Sequence, residues 1–122
     1  DYDAFYELEI KIRTMRGFPP LRDIFLLTFT GMHEDQVMRA AARFRDRLSA
    51  SLVQDAELSE ALLLGPSPAP VARVNYTYRY RLTLNCKNSR KLRQLLSLHL
   101  RMFFTEKENK GVSVFADVNS YD

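Results

Sequence analysis

Between Arg73 and Arg81 the chain sets tyrosines and arginines side by side: Arg73, Tyr76, Tyr78, Arg79, Tyr80 and Arg81. These are the side chains that hold nucleic acid, because a ring stacks on a base for about 1–3 kcal/mol and a guanidinium fork matches a phosphate. Further cations follow at Lys87, Arg90, Lys91, Arg93 and Arg101, and no acid occurs between Glu60 and Glu106. The formal net charge of the 122 residues is only +3, so the signs are segregated rather than merely unequal. Such segregation creates a field that suits an anionic partner, either nucleic acid or an acidic peptide, although a solvated basic face without a partner has the same composition.

Other chemistries find little support in the sequence. "GPSPAP" puts prolines where a phosphate-cradling loop needs backbone donors. Cys86 could pair with His33 or His99 as a nucleophile and base, but the cysteine falls on an apolar strand face and His99 on a leucine-rich helix, so both read as buried structural residues, and His33 as a capping or turn residue. The carboxylate pairs Glu34–Asp35 and Glu7–Glu9 stand at helix starts or in ion-pair positions. No catalytic constellation, zinc site or cofactor site is expected here. The lone cysteine suits a reducing compartment, and no run reaches the length of a membrane span. The start "DYDAFY" reads as a cut inside a longer protein.

The elements that must position these side chains follow from periodicity. With 46% hydrophobic and 27% charged residues, the chain has the balance of a single globular domain. Phe5, Leu8, Ile12 and Met15 recur at helical spacing, and Gly17 with Pro19 and Pro20 ends that leading helix and linker over 1–20. "LRDIFLLTFTG" predicts a buried strand. Val37, Ala40, Ala41, Phe44, Leu48 and Leu52 form the inward stripe of the next helix, and residues 51–60 show no period. "ALLL" predicts a short strand, and Pro66, Pro68 and Pro70 predict an extended edge or connector.

From Arg73 to Cys86 the period is two. It puts Tyr76, Tyr78, Tyr80, Leu82, Leu84 and Cys86 on one face, and Arg73, Arg79, Arg81, Thr83 and Asn85 on the other. The tyrosines then either stack on bases or belong to the core. Their continuation into leucines favours the core and leaves the arginines on an open face. Ser89 caps a third helix with Leu92, Leu95, Leu96, His99 and Phe103 inward and Arg90, Arg93, Gln94, Ser97 and Arg101 as a polar stripe, and "GVSVFADV" closes the chain as a strand. Residues 21–122 therefore predict an α+β fold of split βαβ type, βαββαβ, with a four-stranded mostly antiparallel sheet, helices on one face and the extra helix in front. The cations of the later half are expected to gather into one continuous patch.

"LGPSPAPVARVNYTYRYRLTLN" resembles the Gly-Pro-x-Pro-Ala-Pro signature and Arg/Tyr-rich strand of the C-terminal domain of primosomal protein N′, the bacterial replication-restart helicase family PriA. "DYDAFYELEIKIR", "GFPPL" and "FADVNSYD" resemble its other landmarks in order, except that Ser120 stands where the family usually has proline. The resemblance implies a piece of an ATP-dependent 3′–5′ DNA helicase of the bacterial cytoplasm and nucleoid, acting with other primosome proteins at stalled forks. ATP, magnesium and zinc would then belong to upstream parts of the parent. It further implies a domain that resembles a small-subunit ribosomal protein and contributes to DNA binding, with forks and single strands as ligands of Arg73, Arg79, Arg81, Lys87, Arg93 and Arg101. Finally, it implies that Arg90 and Gln94 help hold the acidic, Phe-ended tail of single-stranded-DNA-binding protein. The chain itself would carry no catalysis. The alternative function is a protein-interaction module that captures this tail and has little DNA affinity of its own.

Overall fold

A computed structural model describes residues 23–119. The leading helix expected over 1–20 lies outside the described residues. Strand β1 spans Asp23–Gly31, helix α1 Glu34–Val53, strand β2 Leu62–Val74, strand β3 Thr77–Cys86, helix α2 Arg90–Thr105, a 3-10 turn Lys107–Asn109, and strand β4 Val112–Asn119. The sheet order is β2-β3-β1-β4 with every neighbouring pair antiparallel, which is the split βαβ arrangement that the element order predicts.

Alternation along the strands decides what each face does. Phe25, Leu27 and Phe29 of β1 stand in register with Leu84, Leu82 and Tyr80 of β3, and all point into one core with the inward stripes of the helices. Val37, Ala40, Ala41, Phe44, Leu48 and Leu52 are the buried residues of α1, and Leu92, Leu96, His99, Leu100 and Phe103 those of α2. Phe29 meets Phe44 and Phe103 edge-to-face at centroid separations of 5.5 and 5.6 Å, so one ring ties the sheet to both helices. Each of these large side chains adds roughly 1.5–3 kcal/mol by leaving water.

A polar hub closes the far end of this core. Asn109 is 4% exposed; its amide donates to the Phe103 carbonyl and to Glu106, and its oxygen accepts from Arg43 at 2.8 Å. Arg47 pairs with Glu106 beside it. The space between these groups and His99 is only about 10 Å³, too little to admit a ligand. On the loop after α1, Lys91 pairs with Asp55 at 2.8 Å, which holds the Asp55 carboxyl below and the Lys91 amine above their ordinary ranges. That clasp, with Leu58 buried, orders a stretch that has no hydrophobic period.

Two elements differ from the periodicity reading. Leu62 to Leu64 and the prolines form one edge strand of 13 residues, β2, so the proline segment takes the edge alternative and the short strand is continuous with it. It tolerates Pro66 and Pro68 because an edge strand needs donors on one side only, and its register with β3 shifts between Leu64 and Ser67 and between Pro68 and Arg73. The run from Arg73 to Cys86 is likewise not one strand: Asn75 and Tyr76 have φ of 52° and 66° and turn the chain between β2 and β3. Two residues with positive φ make the hairpin turn whose twist matches its strands, and alternation passes through such a turn without a visible break.

Candidate nucleic-acid and partner interface

The second face of the sheet carries no helix among the described residues. Four cross-strand rows cross it, because residues directly opposite share a face. The central row is Ser67, Arg81, Thr28 and Phe115; beside it lie Leu64, Thr83, Leu26 and Asp117 on one side and Arg79, Thr30 and Ser113 on the other. Leu62, Asn85 and Ile24 make the outer row. Thr28 is buried between Arg81 and Phe115, whereas Leu62, Leu64 and Phe115 are exposed.

Arg79 and Arg81 are half-buried and have no acidic partner among the described residues. The Arg81 Nε and the Asn85 Oδ1 are buried without a hydrogen-bond partner there, a costly state for polar atoms. The Arg43 Nε on α1 is in the same state, but the α1 arginines differ in that each has a partner for its guanidinium among the described residues. Arg39 pairs with Asp35 at 3.1 Å, Arg45 with Asp46 and the Gly65 carbonyl, Arg43 with Asn109 and the Glu108 carbonyl, and Arg47 with Glu106. Spacing alone does not separate these two sets, because both are arginines on amphipathic elements.

The three tyrosines part company. Tyr80 is buried and donates to Glu34 at 2.6 Å, and that carboxylate raises the phenol above its usual range. Tyr78 is half-buried, and Tyr76, on the turn, is 77% exposed. The tyrosine that the hairpin exposes is therefore Tyr76, not the run as a whole.

Among the described residues the expected continuous patch does not form. Arg79 and Arg81 lie on the helix-free face, while Arg90, Arg93 and Arg101 ride on α2, which packs against the other face. Alternation and helical period each place their own cations correctly, but only the topology decides that the two elements turn them to opposite sides. On α2, Arg93 donates to Asn88 at 2.9 Å and Arg101 to Ser97 at 3.1 Å. Lys87 is exposed just after β3. Arg73 sits on β2 with Tyr78 as its register partner, outside the row of Arg79. Arg90 and Gln94 are both exposed, one turn apart at the start of α2, where Ser89 accepts from the Leu92 amide and the first turn holds no acid. His33 is the residue before α1, and its imidazole makes no capping bond. Cys86 is buried.

The described residues contain no group of three or more His, Cys, Asp or Glu side chains that could hold a metal ion, and no helix long and apolar enough to cross a membrane.

A four-stranded antiparallel sheet with two helices on one face and a cationic second face defines an α+β module of ferredoxin-like topology. Designed proteins show the same fold: a ferredoxin-fold design aligns over 83% of this chain and 87% of its own with a TM-score of 0.55 at 12% identity, and the design Foldit4 over 83% and 99% with 0.53 at 13%. At the level of sequence, residues 14–120 match the primosomal protein N C-terminal domain, and the chain belongs to that family. It is 32% identical over 123 residues to replication restart protein PriA of Bacillus subtilis, which covers 99% of this chain and 14% of the relative. It is 27% identical over 120 residues to the protein of the same name from Borreliella burgdorferi, covering 98% of this chain and 17% of the relative. The chain thus spans a small part of the length of these relatives.

Proposed function

We propose that this domain is the DNA-contacting and docking end of a replication restart protein whose other parts supply ATP-driven 3′–5′ unwinding at stalled forks. One observation carries the reading: Arg79 and Arg81 stand on the helix-free face without acidic partners among the described residues, while every arginine of α1 is engaged. The exposed part of each half-buried guanidinium gains from an anionic oxygen, and a DNA strand offers a row of them. Tyr76 at the turn supplies a ring to stack on a base, and Lys87 at the far end of β3 adds a further cation. Arg73, Arg93 and Arg101 belong to the same proposal only if the strand wraps past the sheet edge. Binding of this kind reads phosphates, not base edges, so it favours no sequence.

The test is fluorescence anisotropy with a labelled single strand and a forked duplex across a salt series. Arg79→Ala with Arg81→Ala should weaken binding and lower the salt slope by about one to two, near one for each phosphate that is no longer neutralised. Arg39→Ala is the control, because its pair with Asp35 is exposed on both sides. Equal losses in the double variant and the control would remove the localised site.

A second reading rests on the start of α2. Arg90 and Gln94, exposed and one turn apart at a helix end with no acid in its first turn, suit a terminal carboxylate such as that of the single-stranded-DNA-binding protein tail. Arg90→Glu should abolish capture of an acidic Phe-ended peptide by the intact parent protein and leave strand binding unchanged. Unaltered peptide binding would discard this pocket.

A further inference from the structure

The two edges of the sheet are built differently. On β2, Pro66, Pro68 and Pro70 delete backbone donors, and two register shifts break the ladder. Both are devices that keep a sheet edge from pairing with another chain. Strand β4 has neither device. It runs eight residues without proline, pairs with β1 in unbroken register from Val112 to Asn119, and has no second neighbour among the described residues. Its outer row of backbone donors and acceptors is a template for one more strand.

The side chains around that edge say what kind of strand would fit. Phe115 is 43% exposed at the middle of β4. At the start of the strand lies an open groove of about 340 Å³ lined by Phe104, Lys107, Lys110, Gly111 and Ser113 among others. Phe104 is 55% exposed, and both lysines are exposed with no acidic partner among the described residues; Glu106, which also lines the groove, is tied to Arg47. At the other end of β4 the exposed charge is Asp117. The edge therefore reads cationic and aromatic at one end, aromatic in the middle and acidic at the other.

We infer that β4 receives an extended peptide segment of a partner protein, added antiparallel to the sheet edge. Its basic N-terminal part lies by Asp117, an apolar residue covers Phe115, and its acidic C-terminal part enters the groove between Lys107 and Lys110. The antiparallel direction follows from the stronger ladder and from the order of charges. A nucleic-acid strand cannot match alternating amide donors and acceptors. The peptide backbone pairs along the β4 edge, away from Arg90 and two strands from Arg79 and Arg81, although Phe115 and Asp117 belong to rows of the same helix-free face.

The probe is a fluorescent peptide of sequence Lys-Thr-Val-Thr-Phe-Thr-Glu-Glu, titrated into the full chain with amide shifts and anisotropy recorded together. Saturable binding should shift amides of 112–119 and leave those of 62–74 in place. Methylating alternate backbone nitrogens of the peptide should weaken binding about tenfold or more in one phase and little in the other, since only one set of amides faces β4. Lys107→Glu with Lys110→Glu should cost a similar factor, and both side chains are exposed, so the fold is retained. No saturation up to about millimolar peptide, the weak limit of useful affinity, overturns the inference. So does equal binding by both methylated phases, shifts that map to β2 or to 79–83 of β3 instead of 112–119, or sedimentation showing that the chain alone pairs through this edge.

Discussion

Strand β3 holds two surfaces that share every other residue. Tyr80, Leu82, Leu84 and Cys86 are buried beneath the helices, while Arg79, Arg81, Thr83 and Asn85 look out on the helix-free side and are half-buried. The covered face supplies the apolar burial, and it fixes the strand rigidly enough that arginines on the other face stand at constant spacing. Stability and the proposed strand binding thereby fall to adjacent residues on different sides. Substitutions on one face should move one property and spare the other.

The largest separation is expected at Phe29. Its ring touches both helices through Phe44 and Phe103, so Phe29→Ala should cost about 3–5 kcal/mol in urea unfolding, a large share of the roughly 5–15 kcal/mol of an ordinary domain. Arg81→Ala, on the other face of the neighbouring strand, should change stability by less than about 1 kcal/mol while weakening strand binding. Similar unfolding midpoints for the two variants would break the comparison.

Gly65 is where the faces are coupled. It has a φ of +108°, and a Cβ there would stand 2.7 Å from the Arg81 carbonyl oxygen. Gly65→Ala should therefore cost about 1–3 kcal/mol and displace the backbone that carries Arg81, so that stability and strand binding fall together. A loss of stability with wild-type binding would show that the arginine row tolerates movement of its edge.

Next in size is Arg43→Ala, which strands the buried Asn109 oxygen. The expected cost is about 1–3 kcal/mol, with strand binding unchanged. That contrast sharpens the division between the arginines engaged on α1 and the pair on the helix-free face.

How much of this can be read in the residues depends on the physical signal each feature leaves. The stripe of α1 is legible in full because a helix buries at 3.6-residue spacing, and Val37 through Leu52 obey it. The alternation of β3 is legible for the same kind of reason. The turn at Asn75 and Tyr76 is not, because its tyrosine takes a conformation that bulky residues seldom adopt and so carries no turn signature. The Asn109 hub joins residues more than sixty positions apart, and no local pattern encodes such a pairing. The separation of Arg79 and Arg81 from the cations of α2 is likewise a property of topology, since each element keeps its own period whichever way it packs. That β4 has no second neighbour among the described residues emerges only from the strand order.

The mildest prediction concerns acid. His99 lies 7% exposed between Ser51, whose hydroxyl is 3.0 Å from its Nε2, and the Phe44 ring. Burial, and then the positive charge of Arg47, push its pKa below the ordinary 6.5. The folded protein thus keeps the imidazole neutral at a pH where the unfolded chain already binds a proton, so stability present above pH 6.5 is lost as pH falls toward the folded value. Asp23 works in the other direction. Burial raises its pKa, the folded state holds the proton more tightly, and protonating it near and above 3.8 returns stability. The melting temperature should accordingly fall as pH drops from about 7.5 to 5.5, a window in which a histidine titrates and an ordinary carboxylate does not. His99→Gln keeps a polar group beside Ser51 and removes the titration, so its curve should be flat over that window even if its plateau is lower. An unchanged slope would assign the acid sensitivity to another group and leave the covered face without a titrating element.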